Sequence, residues 1–316
     1  MSDFSFAIIG TGGMAEKHAS AILKQNSASL IAVRSRKIER AIEFSSRHGS
    51  IMPYEEVEYL LDNRDVDGVI VTAALEERAE CIRLALQSGR PVIAASPIAR
   101  DSAEAYSLIE LSEREGASLI PFVSMRYAEG IRFLRNAIEK GQFGKILRIS
   151  VSYHFDKSES AFAADSDSSP LILKEGFEAL DVLLFLLGAP ELISSFSGNI
   201  AARSDAEDIF SVSFIGNEAV HGELSLISSA FAHDSFHVSI VGSDGYGEYE
   251  NGNLECFFRS GGKIEFHDSA STIDLFYRDS LDSIFSGTEA LSKAREGLLA
   301  IRVAEAILTA SKRVDL

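Results

Sequence analysis

Three groups of residues in this chain have types and spacings suited to chemistry. Over residues 4–15 the chain reads FSFAIIGTGGMA, an apolar run followed by Gly10, Thr11, Gly12, Gly13 and Met14. Glycines at that place allow a tight turn and a close backbone approach to a phosphate, and a helix starting at once adds its free N–H groups. Ala15 fills the last position of G-x-G-x-x-G, which asks only that helix and strand lie close together. The second group is Arg34, Ser35, Arg36, Lys37 and Arg40, which follows another apolar run. In dinucleotide folds an acid at that place accepts the ribose 2′-hydroxyl, whereas an arginine accommodates a 2′-phosphate. No acid occupies the expected position, and cations at a helix start oppose its dipole, so they need another reason to be there. The pattern favours NADP(H) over NAD(H), with Ser35 and Arg36 as principal contacts. The third group is Lys174, Glu178 and Asp181, whose i, i+4, i+7 spacing places them on one face of a helix. A solvated Lys–Glu pair flanking core-facing Leu180, Leu183 and Leu184 fits that spacing equally well.

These groups need a scaffold, and the apolar pattern supplies one. Short apolar runs at 4–9, 29–33, 68–72, 91–94 and 118–121 alternate with amphipathic stretches at 15–25, 38–48, 54–61, 78–87 and 103–115. Such alternation predicts a doubly wound parallel sheet with helices on both faces. After Phe122 the pattern changes. A helix over 130–140 leads to a strand over 147–155, a polar loop over 156–169 and a helix over 174–187 that stops at Gly188 and Pro190. Strands are then expected at 193–200, 208–215, 219–226, 236–241, 245–250 and 254–259, before a closing helix over 288–311. Asn251-Gly252 marks a hairpin because both residues tolerate positive φ. The fold class is α/β, with domains at 1–122 and 123–316, the second an α+β domain with a large, mainly antiparallel sheet.

Composition excludes several classes. A net charge of −17 argues against nucleic-acid and anionic membrane surfaces. No stretch approaches the length of a membrane span, and residues 1–3 leave no room for a signal peptide, so a cytoplasmic protein is expected. Cys81 and Cys256 are the only cysteines and lack metal-ligand spacing. Neither a disulfide framework nor a metal site is expected.

The fragments AIIGTGGMAEKH, VDGVIVTAA, RPVIAASPIA, Arg126-Tyr127, GQFGKI and EGFEALDVLLFLLGAP, in this order, resemble the glucose-fructose oxidoreductase, inositol dehydrogenase and MocA (Gfo/Idh/MocA) family across essentially the whole chain. The resemblance implies an N-terminal Rossmann domain, cofactor contacts that include Thr72, Ala73 and Pro97, and a small-molecule substrate such as a sugar or cyclitol. Relatives pair through the exposed face of the second sheet, so a homodimer or homotetramer is expected, and a face rich in Phe and Ile would need such cover. Relatives carry Glu-Lys-Pro where this chain has Ala95, Ser96 and Pro97, so their lysine is absent. Their later aspartate, glycine, histidine and aspartate read here Lys174, Gly176, Glu178 and Asp181. Glu178 is therefore the expected proton-transfer residue, with Lys174 restoring positive charge and Arg126, Tyr127, Asp181 and Ser96 meeting substrate. His154, near the end of its strand, is read as structural. The departures leave open a reductase of an imine or conjugated substrate, or a catalytically inactive NAD(P)-binding sensor.

Overall fold

The computed structural model describes residues 4–156, 169–199, 207–229 and 233–315. The expected polar loop over 156–169 lies, apart from its ends, outside the described residues. The chain divides into two compact units, one of Met1–Ser124 with Thr272–Leu298, the other of Met125–Ser271 with Leu299–Leu316.

In the first unit six parallel strands run in the order β3-β2-β1-β4-β5-β6. They are β1 (Phe4–Ile9), β2 (Ala28–Arg34), β3 (Met52–Tyr54), β4 (Gly68–Val71), β5 (Val92–Ala95) and β6 (Leu119–Phe122), and between them lie α1 (Gly13–Ile22), α2 (Ile38–Arg47), α3 (Val57–Leu61), α4 (Leu75–Gln87) and α5 (Ser102–Glu115). β4 and β5 are buried at every residue, which is why their sequences are unbroken apolar runs without alternation. β1 pairs with β2 on one side and β4 on the other. Chain direction across the sheet reverses there, and in such sheets the crevice outside the strand ends at this point is the ligand site.

The same unit contains α8 (Thr272–Ser286) and the start of α9 (Ala294–Ala310). The sequence pattern had suggested no element over 272–286, because the helix buries Ser280 and Ser283 beside Phe276, Tyr277 and Leu281, and serines interrupt the apolar stripe. Phe276 packs edge-on against Phe122 at a centroid distance of 4.9 Å. His18, on α1, is fully buried, with Nδ1 2.6 Å from the Tyr277 hydroxyl.

The second unit opens with α6 (Glu129–Glu139) and is built on nine strands in the order β14-β13-β12-β11-β7-β10-β9-β8-β15. Their spans are β7 (Ile146–Asp156), β8 (Leu192–Asn199), β9 (Ile209–Ile215), β10 (His221–Ser229), β11 (Ser235–Gly242), β12 (Gly245–Glu250), β13 (Asn253–Phe258), β14 (Lys263–His267) and β15 (Ser311–Asp315). The pairs β7·β10 and β8·β15 are parallel and the rest antiparallel. At the β12–β13 turn Asn251 and Gly252 have φ of 46° and 92°, the positive pair the hairpin signal requires. α7 (Phe177–Leu187) packs on β7 and β10.

The two faces of this sheet differ in composition. Phe210, Phe214, Leu224, Leu226, Val238 and Ile240 alternate onto the buried face. The opposite face carries cross-strand rows such as Ser194, Ser213, Glu223, Ser150, Ser239, Glu248, Glu255 and Glu265. Period-two alternation assigns each residue a side, and that opposite face also carries Phe196, Ile209, Ile215, Ile227, Tyr246 and Phe257.

Candidate functional site

The site begins where β1 gives way to the glycine turn. Gly10 has φ +122°, and a Cβ on it would lie 2.5 Å from Thr72 Oγ1 and 2.9 Å from the Thr72 carbonyl carbon. The end of β4 therefore approaches so closely that only glycine fits. Thr72 is held by its own bonds to the Ile9 carbonyl, from its amide at 2.8 Å and its hydroxyl at 3.1 Å. Gly12 is the N-cap of α1 and supplies no side-chain cap, while Cβ atoms on Gly12 or Gly13 would meet nothing within 4 Å. The first N–H groups of α1 have no partner within the helix, the arrangement that accepts a phosphate.

A cavity of about 470 Å³ extends from this turn to the ends of β2 and β4. Gly10, Thr11, Gly12, Ser35, Arg36, Thr72 and Ala73, all expected contacts, line it together. The Thr11 hydroxyl donates to Ser35 Oγ at 3.4 Å, joining the glycine turn to the end of β2. Arg34, Lys37 and Arg40 also line it, so four cations surround one carboxylate, Glu77. Arg34 donates Nε to the Glu55 carbonyl at 2.8 Å and Nη1 to Glu77 Oε2 at 3.2 Å. A dinucleotide cofactor fits these features, since an uncapped helix start and a basic cavity suit phosphates on either side of a ribose. Gly13, Met14 and Pro97 do not line this cavity. Met14 is exposed in the first turn of α1, and buried Pro97 gives its carbonyl to Arg78 Nη1 at 2.7 Å.

Glu77 and Arg78 escaped the sequence reading. Their signal was positional, because the first turn of a helix that follows a parallel strand sits at the carboxyl edge of the sheet. Arg78 also donates Nε to the Ala73 carbonyl at 3.1 Å. It thus ties the end of β4 to Pro97, one residue beyond half-exposed Ser96, and keeps a cation beside the position where relatives carry lysine.

In the second unit the expected side chains separate into two kinds. Arg126 and Asp181 form a two-pronged ion pair at 2.6 and 2.7 Å, and only 3% and 1% of their side chains is exposed. The guanidinium also lies 5.0 Å over the Phe185 ring. Tyr127 is equally buried. These three were expected to meet substrate, and instead they are packed away from solvent, with Arg126 and Asp181 docking the turn of residues 125–127 on α7. Glu178 is half-buried and its Oε1 accepts the Met125 amide at 2.8 Å, so it grips the same turn while keeping an exposed surface.

The expected stacking of Lys174 over Glu178 is also corrected. Leu171–Leu173 form a 3-10 turn, Lys174 adopts the non-helical φ −106° and ψ −112°, and α7 starts only at Phe177. The reason is packing at Gly176, where a Cβ would lie 2.3 Å from the Leu226 side chain and 3.1 Å from the Ile172 Cα. The chain turns sharply against β10 before it can become helical. Tyr153 lies beside Leu226 in the β7·β10 register, on the face that α7 covers. Its phenol is pushed up to about 12 by burial, with the carboxylates of Asp234, Glu178 and Glu175 adding to the effect. It was missed because one tyrosine in an alternating strand looks like core. His154, the next residue, points to the opposite face, in the row of Ile209, Ile227 and Ser235.

Burial drives both cysteine thiols up to about 12, which leaves them protonated. Among the described residues no group of three His, Cys, Asp or Glu side chains is placed to hold a metal ion, and no helix is long and apolar enough to cross a membrane.

Comparison with known proteins agrees with this geometry. Residues 4–122 match the oxidoreductase family's NAD-binding Rossmann fold, and residues 135–315 match its C-terminal alpha/beta domain. Among curated relatives, scyllo-inositol 2-dehydrogenase (NADP(+)) IolU of Bacillus subtilis is 23% identical over 249 residues, covering 76% of this chain and 74% of that protein. Among solved structures, an oxidoreductase from Agrobacterium radiobacter in complex with NAD+, L-tartaric acid and magnesium superimposes with a TM-score of 0.90 at 16% identity, covering 98% of this chain and 96% of that one. KijD10, a 3-ketoreductase from Actinomadura kijaniata in complex with NADP and TDP-benzene, gives 0.87 at 18% identity over the full length of both. With both family domains matched over most of the sequence, the chain belongs to the Gfo/Idh/MocA family of NAD(P)-dependent oxidoreductases.

Proposed function

We propose that this protein is an NADP(H)-dependent oxidoreductase acting on a small polyhydroxylated substrate such as a sugar, a cyclitol or a derivative. The observation that carries the reading is the basic cavity contiguous with the glycine turn, in which Ser35, Arg36, Lys37 and Arg40 stand where an NAD-type fold presents an acid. Names of relatives give both cofactors, since one carries NADP(+) in its name and another was solved with NADP, while a third was solved with NAD+. When bound, the nicotinamide supplies the hydride chemistry. The N–H groups at the start of α1 hold the diphosphate, and Ser35 and Arg36 hold the 2′-phosphate. Residues 1–122 serve as the cofactor domain and 123–316 as the substrate and oligomerisation domain.

Glu178 takes or returns the hydroxyl proton in place of the family histidine. Its Oε1 is oriented by the Met125 amide, and a carboxylate has acceptor capacity beyond one such bond. Burial pushes the Tyr153 phenol up to about 12, so it keeps its proton across the physiological range and is not a base there. Lys174 and Arg78 provide positive charge in place of the family lysine. The protein is cytoplasmic and forms a homodimer or homotetramer through the exposed face of the nine-stranded sheet.

The test is a panel of polyols, keto-sugars and imines followed at 340 nm, with binding of NADPH and NADH titrated in parallel. NADPH is expected to bind more tightly, and Glu178→Gln to reduce turnover by roughly 10²–10⁴-fold with NADPH affinity unchanged. Wild-type turnover by that variant removes Glu178 from the role. NADPH binding with no absorbance change on any substrate, by contrast, favours a sensor, the reading motivated by Ser96 in the lysine position.

A further inference from the structure

The cavity at the end of β2 lacks the expected acid on β2 itself, yet it contains a carboxylate. Glu77 enters from the first turn of α4 and is the one acidic side chain among its lining residues. Its two oxygens are engaged unequally. Oε2 accepts from Arg34 Nη1 at 3.2 Å, and Arg34 is only 12% exposed and anchored through Nε to the Glu55 carbonyl. Oε1 lies 3.6 Å from Arg36 Nε, a distance that provides attraction without a hydrogen bond, and Arg36 is 63% exposed. Arg34 is thus part of the wall, whereas Arg36 is an exposed cation held near Glu77 by charge alone.

We infer that Glu77 is a selectivity residue that limits the preference for a phosphorylated ribose. A carboxylate in this cavity repels a 2′-phosphate and competes with it for Arg36. The same carboxylate offers an unphosphorylated ribose an acceptor for its 2′-hydroxyl, the service that an acid on β2 provides elsewhere. The inference rests on the cofactor placement proposed above. It concerns the ratio of two affinities, so it can be read whichever cofactor the wild-type protein prefers.

The experiment compares wild-type protein with Glu77→Gln, Glu77→Asp and Arg36→Gln by calorimetric titration with NADPH, NADH and adenosine 2′,5′-bisphosphate. Removing the charge with Glu77→Gln is expected to raise the NADPH-to-NADH affinity ratio about tenfold and to tighten the bisphosphate, more so at low salt. Glu77→Asp keeps the charge and is expected to remain close to wild type. An unchanged ratio in Glu77→Gln overturns the inference. A lower ratio also overturns it, because Glu77 would then serve to pre-orient Arg36 toward phosphate. Failure of the NADP(H) reading looks different, since wild-type protein would bind NADH at least as tightly and Arg36→Gln would leave NADPH affinity intact.

Discussion

Replacing His18 with glutamine is expected to make the first unit less stable at neutral pH but less sensitive to acid. The ring is fully buried, 4.4 Å from the Phe122 centroid, and Nδ1 lies 2.6 Å from the Tyr277 hydroxyl. Burial, reinforced by the charges of Arg78 and Lys17, lowers its pKa from 6.5 to about 3. Burial also holds the Tyr277 phenol well above its usual range, so the phenol keeps its proton and donates it to Nδ1. His18 Nε2 then carries the hydrogen, with no hydrogen-bond partner among the described residues. The folded-state pKa lies below the unfolded one, so the unfolded chain takes up the proton first. Stability that depends on a neutral ring is complete above about pH 6.5 and drains away as the pH falls toward about 3. At ~1.4 kcal/mol per pH unit, the wild-type protein loses about 2 kcal/mol through this group between pH 6.5 and 5. Glutamine does not titrate. The deficit of the variant at pH 7.5, about 1–3 kcal/mol from a disturbed buried hydrogen bond, should therefore shrink by about 2 kcal/mol at pH 5. The chain has two compact units, so the measurement is native-state hydrogen exchange at amides of α1 and α8, which reports on this unit and not on a mixed global melt. A deficit of equal size at pH 7.5 and pH 5 would refute a neutral buried His18.

Two further substitution pairs test the architecture of the sites. Gly10→Ala must accommodate positive φ and a Cβ 2.9 Å from the backbone of Thr72, so it is expected to cost several kcal/mol of stability along with cofactor binding; Gly12→Ala meets open space and should fold normally while weakening NADPH binding, and equal melting temperatures for the two would contradict the contrast. Breaking the sealed ion pair with Arg126→Met or Asp181→Leu alone leaves an uncompensated buried charge and is expected to destabilise by roughly 3–5 kcal/mol in denaturant titrations, whereas the double variant should recover most of the loss. A double variant as unstable as the sum of the singles would show that the pair contributes more than mutual neutralisation.

Where one local period dominated, the sequence could be read residue by residue. β1 was placed at its observed bounds because a buried parallel strand is an unbroken apolar run, and β12 likewise because Asn251-Gly252 defines its turn. β3 has three residues, too few for any period, and β14 alternates between half-buried and exposed positions without a buried one, so neither stood out. The helix over 288–311 starts six residues later, at Ala294, with its first residues spent in a turn beside Asp279, whose carboxylate accepts the Leu291 amide at 2.8 Å. In the candidate site, the glycine turn and the basic cluster were legible because each is contiguous in the chain. The Lys174–Glu178 relation was misread because helical spacing presupposes a helix, and Gly176 against Leu226 delays it.

The sequence by itself determined the alternation of strand and helix, the glycine turn, the cations that follow β2 and the substitution of Ser96 and Glu178 in a family pattern. All of these depend on neighbours within one or two turns of chain. Only the tertiary structure decided that Glu77 enters the cavity of Arg36, that Arg126 and Asp181 neutralise each other out of contact with solvent, and that Arg78 binds the carbonyl next to Ser96. The physical reason is that charge pairing and burial act through space. A lysine, arginine or glutamate has the same local signature on a solvated surface, in a ligand cavity or in a sealed pair, until the fold brings its partner to it.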